Sequence, residues 1–298
     1  MKRIISAIII FFTILTLCAC EKQTSEIEGK VNIVAVNFPA YDFARQVGGA
    51  FANVSMILPA GSENHSYEPT AANIIKIQEC DLFIYTGGES DAWVEKILES
   101  FENKPENMRM IDTVPVLKED DTGNDGEIDE HVWTSPANAI KIVQGICAMI
   151  CVIDQKNSDV YEENALEYIE KLRELDRAFD TYFLKDENRI MIFGDRFPFR
   201  YFAEEYDITY YSAFPGCAAE TEASVKTVAE LIDKAKETGA KKIFYIEFSN
   251  HMTADTIASA VGAETVLFHS CHNVTKEEFD RGETYLSIMT ENLERLRG

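Results

Sequence analysis

The stretch SDVYEENALEYIEKLRELDRAFDTYFL, residues 158–184, lies in the middle of a 298-residue chain and decides its architecture. Its apolar residues recur in steps of three and four, which is the period of one helix face. At 1.5 Å per residue this helix would be roughly 40 Å long, which is long for a globular protein. We predict that it is a rigid connection between two domains. Its apolar face comprises Tyr161, Ala165, Tyr168, Ile169, Leu172, Leu175, Phe179, Tyr182 and Phe183.

On both sides of this helix, short β-rich runs alternate with helical stretches, an order typical of βαβ units with parallel sheets. The predicted fold class is α/β, with two βα-sandwich lobes of mostly parallel strands joined by a long rigid central helix. We expect an N-terminal lobe at residues 31–155, the linking helix at 156–186 and a C-terminal lobe at 187–298. Strands are predicted at Val31–Val36, Val54–Leu58, Leu82–Tyr85, Met108–Ile111, Ile190–Phe193, Ile208–Tyr211, Ile243–Ile246 and Thr265–Phe268.

The N-terminus carries a targeting pattern, in which two basic residues precede an uncharged apolar run at residues 4–19. The run is too short for a comfortable transmembrane helix of ~20 residues. It ends in Leu17-Cys18-Ala19-Cys20, which resembles the cleavage signal of bacterial lipoproteins. The resemblance implies removal of residues 1–19, acylation of Cys20 and a polar tether at residues 20–30. An ordinary signal peptide or a marginal anchor is the alternative.

The composition is strongly acidic, with 28 Lys and Arg against 51 Asp and Glu and a formal net charge of −23. A surface of this sign repels phosphate backbones, so nucleic-acid binding is excluded as a function. The apolar fraction of 46% and the length suit two domains of roughly 100–150 residues. Acidity of this size permits the attraction of cations but does not indicate a ligand.

The cysteines do not form a disulfide framework. Seven are present, and Cys18 and Cys20 belong to the signal. An odd number remains, which cannot pair completely. Cys147 and Cys151 are predicted to be small core residues. A disulfide between Cys217 and Cys271, or ligation of a metal by one of their thiolates, stays open as an alternative. The remaining cysteines are Cys80, Cys147, Cys151, Cys217 and Cys271.

Histidines and carboxylates occur where predicted strands end. His65 follows the second strand through a Pro-Ala-Gly turn, His269 follows the last strand, and Asp195 and Glu247 each end a strand. His131 lies just before a helix that starts with a Ser-Pro cap. Ligands of open parallel sheets bind outside the carboxyl ends of the strands, so we expect these side chains to converge on one cleft. Imidazole and carboxylate groups are ligands of transition metals.

Four motifs extend this interpretation to a family. In order along the chain they resemble the zinc- and manganese-binding solute-binding lipoproteins of ABC importers. The resemblance implies two α/β lobes on a rigid helix, a bound Zn²⁺ with Mn²⁺ as the alternative, and an ABC permease as partner. It also implies a lipid-anchored monomer on the extracytoplasmic face of a bacterial membrane, without enzymatic activity. The motifs are LPAGSENHSYEP (58–69), DEHVWTSPANA (129–139), GCAAETEAS (216–224) and TYLSIMTENL (284–293).

The same resemblance implies a ligand set. His65 and His131 match the two ligands of the N-terminal lobe, and the fourth ligand of the family falls on His269. The third ligand falls in the stretch GDRFPFRYF (194–202), on Arg196 without a gap and on Asp195 with one inserted residue. A guanidinium is a permanent cation and should not coordinate a metal, so Asp195 is predicted.

Alternatives to this ligand set remain open. One is a three-histidine site completed by water, Glu220 or Glu247. His272 and Cys271, which follow His269 closely, could also compete for the metal. The favoured interpretation of both is that they are ordinary loop residues.

Other functions are considered beside the receptor. A zinc hydrolase would use Glu247 or Glu220 as general base, but the chain has no HExxH, GxSxG or GxxxxGK motif. A surface adhesin with a metal site is not separable from a receptor by sequence. The acidic insert at residues 118–130 is predicted to be a surface loop, with cation gathering as the alternative hypothesis.

Overall fold

The computed structural model describes residues 29–62, 67–118, 128–185, 189–216 and 223–298. Lys118 and Ile128, at the two ends of the acidic insert, form an antiparallel bridge. Several sequence-based expectations fall outside the described residues and stay predictions. They are the lipoprotein signal, Cys20 and most of the tether, His65, Cys217, Glu220 and nearly all of the insert.

Residues 31–109 fold into parallel strands and covering helices. The elements are β1 (Val31–Ala35), α1 (Phe38–Gly48), β2 (Ala52–Met56), α2 (Ala71–Glu79), β3 (Leu82–Tyr85), α3 (Ala92–Ser100) and β4 (Glu106–Arg109). The strand order is β2-β1-β3-β4, and all neighbours are parallel. Every residue of β3 is buried, as expected for a parallel strand covered on both faces.

Residues 190–267 repeat this arrangement. The elements are β5 (Ile190–Phe197), α6 (Arg200–Glu205), β6 (Thr209–Pro215), α7 (Val225–Thr238), β7 (Lys242–Tyr245), α8 (Met252–Val261) and β8 (Glu264–Leu267). The order β6-β5-β7-β8 is that of the first sheet, again with parallel neighbours. In this order the first strand of the sheet has later strands on both of its sides, so the chain connections diverge there. Such a divergence creates a crevice at the carboxyl ends of the central strands. Two further helices, α9 (Lys276–Arg281) and α10 (Tyr285–Arg297), complete the described chain.

Two long helices connect the sheets in sequence, α4 (Pro136–Ile153) and α5 (Ser158–Phe183). Ser135 caps α4, because its hydroxyl accepts from the backbone N–H of Asn138 at 3.0 Å. By length and composition α4 could span a membrane, with a mean hydropathy of 1.7. Its apolar face is buried against α1 and α5, so it is a core helix here. The long helix α5 joins the two α/β lobes, and the residues of its predicted stripe are buried except Tyr182, which is half-buried.

The alternating residues of each sheet divide the apolar interior. Val34 and Phe83 face an outer core under α2 and α3, and Ile192 and Ile243 face another under α7 and α8. Their sequence neighbours face inward. The central core is continuous through both lobes, since it includes Ile33, Ile84, Phe193, Phe244, the buried side of α5 and α10.

Element types agree with the sequence pattern better than element ends do. β4 is two residues earlier than predicted, because Met110–Thr113 form a 3-10 turn. β5 runs four residues beyond the predicted end, through an irregular register between Phe193 and Arg196. The short helix α9 was not predicted; a capping box of Thr275 and Glu278 starts it.

Candidate metal centre

A small cleft lies where the carboxyl ends of the strands of both lobes meet. Its volume is about 30 Å³. That volume suits an ion or a water molecule, whereas pockets for organic ligands measure roughly 300–1,000 Å³. The described residues that line it are Ser62, His131, Arg196, Pro198, Gly216, Ile246, Glu247, Phe248, Ser270, His272 and Asn273.

His131 lines the cleft from the N-terminal lobe and is held by Asp129. The backbone N–H of His131 donates to Oδ1 of Asp129 at 2.8 Å, and the same oxygen lies 2.9 Å from Nδ1 of the ring. Both side chains are buried. A carboxylate in this position keeps the proton on Nδ1 and directs the lone pair of Nε2 to a metal.

His272 brings a second imidazole from the C-terminal lobe. Its ring lies edge-on to that of His131, with centroids 5.4 Å apart and an interplanar angle of 88°. The indole of Trp133 packs against His272 at 5.1 Å between centroids. The Trp133 Nε1–H donates to the carbonyl of Ser270 at 2.8 Å, which joins the two lobes beside the histidine pair.

The loop that carries His272 is fixed by Glu247 at the end of β7. The Glu247 carboxylate accepts from the hydroxyl of Ser270 and, at 2.7 Å, from its backbone N–H. The Ser270 hydroxyl in turn accepts from the backbone N–H of His272 at 3.2 Å. Cys271 turns the chain with a φ of 60°, a left-handed conformation that non-glycine residues rarely adopt. With this turn His272, and neither His269 nor Cys271, lines the cleft beside Ser270.

His269 lies behind the cleft wall. Its Nδ1 accepts from the backbone N–H of Cys271 at 2.9 Å, and its Nε2 lies 3.9 Å from a carboxylate oxygen of Glu278. Asn292 of α10 holds the backbone of His269 by two hydrogen bonds of 2.8 Å. Burial lowers the pKa of His269, but the charges of Glu247 and Glu278 outweigh it, so the pKa is raised. The imidazole is thus a buried partner of carboxylates.

Asp195 lies at the crevice between β5 and β7 and is not itself part of the cleft lining. Its Oδ1 accepts from the backbone N–H of Arg196 at 2.8 Å, and its Oδ2 accepts from that of Ile246 at 3.3 Å. The next residue, Arg196, lines the cleft itself. Gly194 permits this arrangement, because a Cβ there would lie 2.3 Å from Cα of Ala254.

The ZnuA model, described as the periplasmic component A of a zinc-uptake complex, matches residues 33–298. The chain belongs to the ZnuA family. Membership confirms the family resemblance that the four motifs indicated, and the α/β fold class is confirmed as well. Members of the ZnuA family are metal-binding receptors of transport systems that act outside the cytoplasm.

Two curated relatives in the ZnuA family illustrate the similarity. The chain is 32% identical over 308 residues to the zinc-binding lipoprotein AdcA of Streptococcus pneumoniae strain R6, covering 100% of this chain and 61% of AdcA. It is 32% identical over 279 residues to the high-affinity zinc uptake system protein ZnuA of Bacillus subtilis, covering 90% and 87%. The chain therefore spans less than two thirds of AdcA.

Solved structures agree with the fold. The metal-dependent lipoprotein YcdH of Bacillus subtilis matches with a TM-score of 0.80 and 32% identity, over 90% of this chain and 98% of YcdH. The Zn(II)-bound ZnuA-like domain of Streptococcus pneumoniae AdcA matches with a TM-score of 0.78 and 31% identity, over 90% and 98%.

Within this ZnuA-family fold, the predicted site residues are only partly brought together. His131 and Glu247 line the cleft, whereas Asp195 and His269 lie directly behind it. His65 and Glu220 lie outside the described ranges. Among the described residues, no three His, Cys, Asp or Glu side chains form a group that could hold a metal.

The four cysteines within the described ranges, Cys80, Cys147, Cys151 and Cys271, are free thiols. Cys271 is fully buried, and burial raises the pKa of its thiol well above the usual value. Burial likewise raises the pKa of Cys80 and of Cys147 to about 12. Cys271 is not among the described residues that line the cleft. The described geometry therefore offers no support for ligation by Cys271.

Three residues that support the site, Asp129, Asn273 and Asn292, were not predicted from the sequence. Asp129 precedes His131 by two positions, a spacing at which a carboxylate can bond the following backbone and ring, so it could have been found. Asn273 and Asn292 could not have been found, because their partners lie more than twenty residues away in sequence.

Proposed function

We propose that the chain is an extracytoplasmic receptor that binds Zn²⁺ and delivers it to the permease of an ABC importer. The observation that carries this proposal is the meeting of His131 and His272 in an ion-sized cleft. Family membership supports it independently. Mn²⁺ is the alternative cargo.

For the ligands, we propose His65 and His131 from the N-terminal lobe and His272 from the C-terminal lobe. His272 replaces His269 in this proposal, because His272 lines the cleft, whereas His269 contacts Cys271 and Glu278, which do not line it. The fourth position is taken by Asp195, Glu220, Glu247 or water. If the affinity of an Asp195→Ala variant equals that of the wild type, Asp195 is not the fourth ligand.

The donor set favours zinc over manganese. Neutral imidazoles suit Zn²⁺, whereas Mn²⁺ prefers oxygen ligands. The cleft wall also carries Arg196, which raises the energy of a cation unless carboxylates balance it. Glu247 at the cleft and Asp195 behind it provide negative charge for this purpose.

The proposal includes the attachment and organisation of the protein. Cys20 would carry the lipid, residues 20–30 would form the tether, and the mature protein would be a monomer. The lobes would extend over 31–155 and 187–298, with residues 156–186 as the link. The protein would act by binding alone; turnover of ester or phosphate substrates by the zinc-loaded protein would contradict this part.

The test uses the soluble chain from Lys22, stripped of metal by a chelator. Thermal unfolding is followed with Zn²⁺, Mn²⁺, Cu²⁺ and Fe²⁺ in turn, and affinities are measured by chelator competition. A ligand that binds only the folded state at about 100 times its Kd stabilises by about 2.7 kcal/mol. We expect Zn²⁺ to raise the Tm more than Mn²⁺ and Fe²⁺ do. Cu²⁺ binds most nitrogen and oxygen sites more tightly than these ions and is therefore compared separately.

His251 provides a matched control. It is a half-exposed histidine whose ring pairs with Asp255 at 2.9 Å, outside the cleft lining. His251→Ala should bind zinc as the wild type does, whereas His131→Ala should not. If no metal shifts the Tm of the wild type, the proposed function is wrong.

A further inference from the structure

Asn273 joins the two sides of the cleft through its side-chain amide. Its Nδ2 donates to the carbonyls of Pro59 and Ser62, each at 2.8 Å. The amide has two N–H groups, so one residue satisfies both carbonyls. Asn273 is only 2% exposed, and both it and Ser62 line the cleft. A residue adjacent to His272 thus holds a segment of the opposite lobe.

The segment that Asn273 holds is a tight turn. Ser62 N–H donates to the carbonyl of Pro59 at 3.1 Å, and Gly61 between them has a φ of 84°, which favours glycine. A third bond crosses the cleft here, from Gly61 N–H to the carbonyl of Val274 at 2.7 Å. The turn is thereby fixed to the C-terminal lobe at both ends and in its middle.

On the far side of the His65 segment, the chain is anchored within its own lobe. The hydroxyl of Tyr67 donates to the carbonyl of Ile57 at 3.1 Å and accepts from Asn73 Nδ2 at 2.8 Å. These bonds attach Tyr67 to the end of β2 and to α2. The chain is thus anchored in the N-terminal lobe before the turn and again at Tyr67, and the three cross-cleft bonds add the direct connection between the turn and the C-terminal lobe.

We propose that Asn273 is a positioning residue for metal capture, whose amide sets the Pro59–Ser62 turn at the distance where ligands of both lobes meet. This inference rests on the proposed zinc-receptor function. A ligand-bearing segment that is fixed in advance loses less conformational freedom on binding, and affinity rises accordingly. Asn273 itself need not touch the metal.

The test compares Asn273→Leu with Asn164→Leu in the soluble chain from Lys22. Both changes replace an amide by an apolar side chain of similar size that cannot donate a hydrogen bond. Asn164 Nδ2 also donates to a backbone carbonyl, that of Val47, at 2.9 Å. Asn164 and Val47 both lie outside the lining of the cleft. Asn273→Ala provides a smaller variant if the leucine prevents folding. Zinc affinity is measured by chelator competition and folding by thermal unfolding without metal.

We expect Asn273→Leu to weaken zinc binding by about ten-fold or more, within the range of changes to residues that support ligands. Asn164→Leu should lower the Tm but leave the affinity within about two-fold. The same substitutions in a His65→Ala background distinguish positioning from general loosening. There Asn273→Leu should have almost no further effect on affinity, because the ligand it positions is gone.

Two outcomes overturn the inference alone while the wild type binds zinc. One is unchanged affinity in Asn273→Leu and Asn273→Ala; the other is an equal loss with and without His65. A wild type that binds no zinc overturns the proposed function, and the role of Asn273 with it.

Discussion

The ring of His272 meets the ring of His131 edge-on across the cleft, with centroids 5.4 Å apart. One imidazole comes from the segment before α4 and the other from the loop after β8, so the two lobes contribute to one pair. Asp129 orients the first ring, and the loop fixed by Glu247 orients the second. Preorganised donors of this kind need little rearrangement to receive an ion.

The histidine pair leads to a comparison between His272→Ala and His269→Ala. The first removes a donor from the cleft and should weaken zinc binding by more than about 100-fold, beyond the usual effect of supporting residues. The second removes the buried acceptor of the Cys271 N–H and should mainly lower the Tm. Chelator competition and thermal unfolding measure the two effects. The reverse order of affinities would restore His269 as the ligand.

Asp129→Asn should weaken zinc binding by about 10- to 100-fold, because the carboxylate that fixes the His131 tautomer becomes an amide. Asp112→Asn is the matched control, since that exposed carboxylate pairs with Arg109 away from the cleft. Isothermal titration with zinc measures both. Equal affinity of Asp129→Asn and the wild type would mean that the orientation of His131 does not depend on this carboxylate.

Glu205 should make the stability of the metal-free protein depend on pH. Burial, partly offset by hydrogen bonds to Ser135 and to the backbone of Ala137, raises the pKa of Glu205 to about 7. A raised pKa favours folding below the unfolded value of about 4.5, and this stability is lost as the pH rises through about 7. From pH 5 to pH 8 the wild type should therefore lose free energy of unfolding relative to Glu205→Gln.

The size of this effect is at most ~3 kcal/mol, since one pKa unit corresponds to about 1.4 kcal/mol. Urea unfolding at pH 5, 6, 7 and 8 measures it. The exposed neighbour offers the control Glu204→Gln, which should follow the wild type at every pH. Parallel curves for the wild type and Glu205→Gln would show that Glu205 is ionised equally in both states.

Gly194→Ala should destabilise the protein by about 1–3 kcal/mol or more, because the new Cβ would lie 2.3 Å from the Ala254 backbone. The shift of β5 would also move Asp195. A Cβ at Gly145 in α4 would meet side-chain atoms alone, the flexible end of Met108 at 2.7 Å and Cγ2 of Thr113 at 3.0 Å. Gly145→Ala also gains helix propensity, so it should cost less. Thermal unfolding of the two variants tests this; a larger loss for Gly145→Ala would contradict the packing argument.

The long helix and the alternation of strands could be predicted because they depend on local periodicity. The stripe from Tyr161 to Phe183 is the buried face of α5, as the spacing indicated. The end of β5 could not be predicted, since its extension depends on pairing with β6 through an irregular register. The pattern after Gly194 contains no alternation that would mark it as a strand.

The candidate site was predictable in place but not in detail. His131, which precedes the capped helix, and Glu247, which follows a strand, both line the cleft. The choice between His269 and His272 depends on the left-handed turn at Cys271 and on bonds to Glu247 and Asn292. These partners are distant in sequence, and no local pattern reports which of two nearby histidines faces outward.

The apolar core that runs through both lobes would limit how an ion bound at the proposed site could leave. Swinging the lobes apart as rigid bodies would bring part of this core into contact with water, at about 2.5 kcal/mol for each 100 Å² of apolar surface. Displacing a loop of a few residues exposes far less. We therefore expect release of the ion to require only the local opening of a loop at the rim of the cleft, at a rate set by a few hydrogen bonds.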